Sequence, residues 1–127
     1  MDLYAEEILD HYKHPHHFGH LEEPSLVIQD RNPLCGDEIV LELRIDDGTI
    51  TDVAFTGHGC AISRAAASMM SDDIIGKSLE ELRGWKKEDI TDLLGIEVGP
   101  VRIKCALLPL KALKSAVWGL ADAESDT

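Results

Sequence analysis

The sequence predicts an α+β fold: a three-stranded antiparallel sheet with helices packed on one face and an N-terminal helix preceding the strands. Three observations carry this. One helical period comes first, three strand-like runs follow, and helical periods fill the remainder, a grouping that favours α+β over alternating βαβ units. The run Glu38 to Ile45 alternates, with Ile39, Leu41, Leu43 and Ile45 on one face and Glu38, Glu42 and Arg44 on the other. Three strands cannot bury both faces of a sheet, so the helices that follow should cover one side. At 127 residues the chain has the size of one domain, 1–127, with no internal repeat or linker. Such a chain buries about two-thirds of its unfolded surface and needs no disulfides to fold.

In the opening helix Tyr4, Ile8 and Tyr12 recur every four residues, with Leu9 beside them. Pro15 disfavours helical geometry at His14 and sets the end. His16 to Pro24 reads as a loop. Ser25 to Gln29 contains Leu26, Val27 and Ile28, a short strand, and Asn32-Pro33-Leu34-Cys35-Gly36-Asp37 is loop chemistry. After the alternating strand, Asp46-Asp47-Gly48 signals a hairpin turn and Thr49 to Thr56 returns. Ile50 has the opposite parity to Val53 and Phe55, which suggests a bulge or twist near Thr51-Asp52.

Ala61 to Asp73 then reads as a helix ended by Gly76. Ser78-Leu79-Glu80-Glu81 has the capping-box form of a short helix start. Lys87 to Leu94 is a further short helix closed by Gly95. Pro100 suits the first turn of a last helix running to about Ala121, with Leu107, Leu110, Leu113, Val117 and Leu120 as its apolar stripe. Ser125-Asp126-Thr127 reads as a polar tail.

The charge balance excludes some partners. There are 24 acidic and 12 basic residues, a net charge of −12. Phosphate recognition needs clustered Lys and Arg, so nucleic acid is not expected, nor is an anionic membrane. A protein with a basic surface would be steered toward the chain, although the charge chiefly serves solubility. No run approaches the roughly 20 apolar residues of a membrane-spanning helix, and the acidic start Met1-Asp2-Leu3-Tyr4-Ala5-Glu6-Glu7 is not a signal peptide. Three cysteines cannot all pair within one chain. Reduced thiols in the cytoplasm are the expectation.

Each cysteine has a distinctive local setting. Cys35 lies in a Pro- and Gly-containing loop, with Asp37 two residues on. A tight turn at Gly36 lets a thiolate and a carboxylate at that spacing face one ion. Cys60 follows Gly57-His58-Gly59 and opens a helix, where free amides and the dipole favour a thiolate. Cys105 lies early in the last helix beside Arg102 and Lys104, whose charges do the same. A single cysteine is most often a small buried hydrophobe. Three of them, two in Gly-rich turns, make a shared metal site an equal contender. There is no Cys-x-x-Cys pair, so a zinc ribbon or thioredoxin-type motif is not indicated.

Three segments carry a resemblance: Asn32-Pro33-Leu34-Cys35-Gly36-Asp37, Gly57-His58-Gly59-Cys60-Ala61-Ile62-Ser63 and Lys104-Cys105. They resemble, in order, the cysteine motifs of the IscU/SufU/NifU-N family of iron–sulfur cluster assembly scaffolds. Asp10-His11-Tyr12-Lys13-His14-Pro15 is similar to the end of that family's first helix. The likeness spans nearly the whole chain and implies the same α+β fold. It implies that Cys35, Cys60 and Cys105 hold a [2Fe-2S] cluster or Zn²⁺, with Asp37 as the fourth ligand or as a group that aids release. Thiolates suit both, and a carboxylate is the more exchangeable ligand that a scaffold needs in order to give its cluster away.

The implied function is a scaffold, not an enzyme. It receives sulfur from a cysteine desulfurase, takes up iron, builds a labile cluster and passes it to recipient apoproteins or carrier proteins. The alternative is a zinc-bound SufU-like protein that accepts persulfide sulfur, with Cys105 as the acceptor. Lys104 stands where the IscU branch has histidine, as in the SufU branch. The 44 residues between Cys60 and Cys105 leave no obvious room for the insertion typical of SufU proteins. Gly99-Pro100-Val101-Arg102 matches only part of the chaperone-recognition segment of IscU proteins, so chaperone docking is weakly supported. A surface cluster would favour homo-oligomers that shield it.

Other residues have plainer readings. His11, His14, His16, His17 and His20 suggest a second metal site, but a solvated loop is the simpler reading. His58 is placed to hydrogen-bond near the centre. Arg64 is placed for sulfide, a partner or the bare surface. Met69, Met70, Trp85 and Trp118 read as core. A nucleobase deaminase would need His-x-Glu and Pro-Cys-x-x-Cys motifs, and both are absent.

Overall fold

The computed structural model of the chain describes residues 3–32, 36–95 and 102–125, with backbone alone at 3–5, 102 and 118–125. Its elements are α1 (Leu3–Lys13), β1 (Leu26–Asn32), β2 (Asp37–Asp46), β3 (Thr49–His58), α2 (Ala61–Ile74), α3 (Leu79–Arg83), α4 (Lys87–Leu94) and α5 (Arg102–Ser125). The strands form one antiparallel sheet in the order β1-β2-β3.

Local chemistry sets the turns. Asp46 pairs with Thr49, so the hairpin loop is Asp47-Gly48, with φ of 53° and 75°. Two consecutive positive φ values match the right-handed twist of the strands, and Asp-Gly is the pair that tolerates them. The register shifts between Arg44 and Ile45, where Asp52 and Ile50 are their partners and Thr51 is passed over. Of the bulge or twist that the parity of Ile50 suggests, the strand has the bulge, and it lets both Ile50 and Val53 be buried. Ser78 caps α3 by accepting from the Glu81 amide at 3.2 Å. Gly95 ends α4 in the left-handed conformation at φ 70°.

The sheet presents Asp37, Ile39, Leu41 and Leu43 of β2 toward the helices, a row fixed by the two-residue period. α5 crosses β1 and β2, α2 lies on β3, and α1 packs outside α2. α3 and α4 close the far side of α5. Leu41, Leu43, Ile50, Met70, Ile74, Leu82, Ile90, Leu94 and Leu113 are fully buried among them. Each is worth about 1.5–3 kcal/mol. Exposed pairs such as Lys77–Asp73 at 3.8 Å contribute at most about 1 kcal/mol. Burial, not ion pairing, holds the fold.

The opposite sheet face is partly covered by the α1–β1 connection. Phe55 exchanges backbone hydrogen bonds with His17 and Gly19 along the β3 edge. The chain then crosses to Glu42, whose carboxylate accepts from the Leu21 amide at 3.1 Å and lies 2.6 Å from His20 Nδ1. This is why Glu42, on the solvent-facing parity, is only 5% exposed.

Several sequence expectations change. β1 and β2 extend to Asn32 and Asp37 because these residues pair with each other, so both leave the expected loop. β3 continues to His58 because Glu38 pairs with it. α5 runs to Ser125, past the expected end and into the expected polar tail, and it contains Pro109. Its burial exceeds one stripe: Ala106, Leu108, Ala112 and Ala116 are buried beside Leu110, Leu113 and Val117, because α5 has the sheet on one side and helices on the other. Trp85 is in the core, as are Met69 and Met70. Pro100 and the Trp118 and Leu120 side chains lie outside the described residues. Among the described residues, no helix is long and apolar enough to cross a membrane.

Candidate metal centre

Asp37, Cys60 and Cys105 come together from three elements. Asp37 begins β2 on its helix-facing row, at 3% exposure. Cys60 is the N-cap of α2, with extended geometry at φ −70° and ψ 167°. Cys105 lies in the first turn of α5, at 3% exposure. One donor atom of each lies within 4.8 Å of the others. Cys35 lies outside the described residues.

Two glycines make this approach feasible. Gly57 has φ 137°, and a Cβ there would fall 2.2 Å from the Glu38 carbonyl oxygen. A Cβ on Gly59 would fall 2.8 Å from the Asp37 carboxyl carbon. Only backbone without side chains passes this close to the start of β2. The Cys60 amide, one of the donors left open at a helix start, then reaches Asp37 Oδ1 at 3.2 Å. Cys60 Sγ stands 3.6 Å from Asp37 Oδ2.

That last distance tests the fit to a metal. Ligands at ordinary zinc–sulfur and zinc–oxygen lengths around a tetrahedral ion are roughly 3.4–3.8 Å apart. The Asp37–Cys60 pair already has this separation, and a donor atom of Cys105 lies within 4.8 Å of both. Cys60 is exposed, so the centre is reached from solvent. A shallow cleft lined by Glu38, Gly57, His58, Gly59, Ser63 and Arg64 opens beside it.

The surrounding residues sort by the sheet's alternation. His58 pairs with Glu38 at 3.1 Å on the face away from Asp37, because neighbouring strand residues point to opposite sides. Arg64, one turn along α2, places its guanidinium 4.7 Å over the Phe18 ring and 5.9 Å from that of Tyr12. Lys104 is exposed.

His11 of α1 and His16, His17 and His20 of the α1–β1 connection have side-chain partners, whereas His14 is exposed. His16 Nδ1 is 2.6 Å and His17 Nε2 2.9 Å from the two oxygens of Asp72. His11 Nδ1 is 2.7 Å from Ser68 Oγ. Burial, and next the neighbouring His16, lowers the His11 pKa below its ordinary value. Sequence spacing brings out the histidines but not Ser68 or Asp72, which lie more than fifty residues away.

The family model of the NifU-like N terminal domain matches residues 3–124. The chain belongs to this family. Within it, the chain is 40% identical to the iron–sulfur cluster assembly scaffold protein IscU of Streptococcus pyogenes serotype M1, over 96% of this chain and 87% of that protein. It is 39% identical to the zinc-dependent sulfurtransferase SufU of Bacillus subtilis strain 168, over 91% of this chain and 89% of the relative. A crystal structure from Fervidobacterium islandicum AW-1, a candidate scaffold for the SUF system, superposes with TM-score 0.76 at 34% identity, over 88% of this chain and 94% of that one. The NifU-like fold is therefore the one expected from the cysteine motifs. The alignment with the S. pyogenes protein runs over 139 positions, more than the 127 residues here, so that relative carries residues with no counterpart in this chain.

Proposed function

We propose that this protein is an iron–sulfur cluster assembly scaffold. It takes sulfur from a cysteine desulfurase, combines it with iron into a labile [2Fe-2S] cluster and hands the cluster to recipient apoproteins or carriers. The observation that carries this reading is the meeting of Asp37, Cys60 and Cys105 within 4.8 Å, in a chain of the NifU-like family. Cys35, two residues before Asp37, is the remaining thiolate. The same four residues suit Zn²⁺. The acidic surface favours partners with a basic docking face, and the reduced thiols suit the cytoplasm.

Asp37 has a particular part in this. Its carboxylate is the hard, exchangeable member of an otherwise soft ligand set. Buried, and held by the Cys60 amide, it stays in position when an ion leaves. Anaerobic reconstitution with ferrous iron and sulfide tests the proposal. A brown protein with thiolate-to-iron absorption, lost in Cys60→Ser, is expected. A folded, metal-free chain that forms no cluster would overturn it.

A second reading is favoured by the 39% identity to the zinc-dependent sulfurtransferase and by Lys104 before the third cysteine. Here zinc holds the thiolates, and one is released to attack the outer sulfur of the desulfurase persulfide. A new S–S bond forms on this chain, the old one breaks, and the desulfurase thiolate departs. Cys105 is the proposed acceptor. At 3% exposure it must leave the centre first, whereas Cys60 is already accessible. Mass spectrometry after mixing with desulfurase and cysteine separates them: added sulfur lost in Cys105→Ala and kept in Cys60→Ala supports Cys105, and the reverse refutes it.

A further inference from the structure

We propose that His11, His16 and Asp72 form a second metal site, on the seam between α1 and α2, for a divalent first-row transition ion such as zinc or ferrous iron. One donor atom of each lies within 4.8 Å of the others. Two imidazoles and one carboxylate, with the remaining positions open, are a donor set for such ions. Two of the three ligands stand on packed helices, His11 in the last turn of α1 and Asp72 in the last turn of α2.

The supporting groups are those that metal ligands require. Ser68 is fully buried, and its hydroxyl meets both His11 Nδ1 and the His16 amide, each at 2.7 Å. With Nδ1 engaged, Nε2 is the nitrogen His11 has left for an ion. His17 Nε2 holds Asp72 Oδ1 at 2.9 Å, and His16 Nδ1 donates to Oδ2 at 2.6 Å, a hydrogen bond whose place the ion takes. Ligating imidazoles and carboxylates are oriented by such outer hydrogen bonds. His17 takes φ 63°, a left-handed conformation uncommon for residues other than glycine, in the turn that also gives its carbonyl to the Phe55 amide.

A plain ion pair accounts for less. One imidazolium suffices to neutralise Asp72, yet the His11 and His16 rings lie 4.4 Å apart, centroid to centroid. Two protonated rings at that distance repel each other. Neutral rings there offer lone pairs to one cation. Glu6, Glu7 and Asp10 line the cleft beside His11 and His16, and Asp73 lines the one beside Asp72, an acidic surround that concentrates cations.

The site is separate from the cysteine centre. Cys60, Arg64, Ser68 and Asp72 follow at four-residue intervals along one face of α2. Twelve residues of helix span about 18 Å. The two sites can therefore fill independently, and the second also ties the α1–β1 connection to α2.

The test is equilibrium dialysis of Co²⁺ against the untagged full-length chain carrying one equivalent of zinc, which the thiolate centre holds in preference to the histidine site. The expected result is one further ion per chain, with ligand-field bands but no thiolate-to-cobalt charge transfer. Binding should be lost in Asp72→Asn and in His16→Gln, both at exposed positions where folding is not at stake. His17→Ala should weaken it about 10- to 100-fold as a positioning residue, and His14→Ala should leave it unchanged. Paramagnetic broadening should reach the ring signals of His11 and His16 and spare His58. No second ion, a second ion that survives Asp72→Asn and His16→Gln, or broadening centred on other histidines would each overturn the proposal.

Discussion

Gly59 and Asp37 approach so closely that a Cβ on the glycine would lie 2.8 Å from the carboxyl carbon of the aspartate. The pair is the contact through which the end of the hairpin seats Cys60 against the start of β2. Gly59→Ala must therefore displace either Asp37 or the α2 N-terminus. Overpacking of this kind costs about 1–3 kcal/mol, and a misplaced carboxylate should weaken zinc binding about tenfold or more. Competition against a chromophoric chelator reads the affinity and urea melts read the stability. Unchanged zinc affinity would show that the contact is not needed to shape the centre.

Asp37→Asn separates charge from position. The amide oxygen can still accept from the Cys60 N–H, now at 3.2 Å, so the fold should survive. A neutral amide is a poorer ligand than a carboxylate, so zinc affinity should fall roughly 10- to 100-fold. Retention of full affinity would remove Asp37 from the ligand set.

Pro109 stands four residues after Cys105 inside α5. It has no N–H to donate to the Cys105 carbonyl, and its ring crowds that carbonyl, a cost of about 3 kcal/mol in a helix interior. Pro109→Ala restores the donor but gives up buried ring contacts, since Pro109 is buried. A net gain of about 1 kcal/mol is expected, with slower zinc exchange from a stiffer Cys105 turn. A lower denaturation midpoint would mean that ring packing outweighs the helix penalty.

Glu42 is a buried carboxylate on the sheet face opposite the helices. Glu42→Ala leaves the Leu21 amide without its 3.1 Å acceptor. A loss of about 1–3 kcal/mol is expected, together with faster amide exchange across residues 17–21. Zinc affinity should not change, because Glu42 lies on the face opposite Asp37.

The sequence alone determined the order of elements, the hairpin turn at Asp46-Asp47-Gly48, an irregularity near Thr51-Asp52 and the caps at Ser78 and Gly95. Hydrophobic period and turn chemistry act over a few residues, so such features are legible without a fold. It also singled out Asp37, Cys60 and Cys105 through their glycine-rich settings and the family resemblance. Only the tertiary structure decided that Asp37 belongs to a strand and faces the helices, that Gly59 exists to let Cys60 reach it, and that α5 is buried on more than one side. Asp72 meets His16 across 56 residues for the same reason. Which faces meet depends on how α1, α2 and the sheet pack together, and no local pattern encodes that packing.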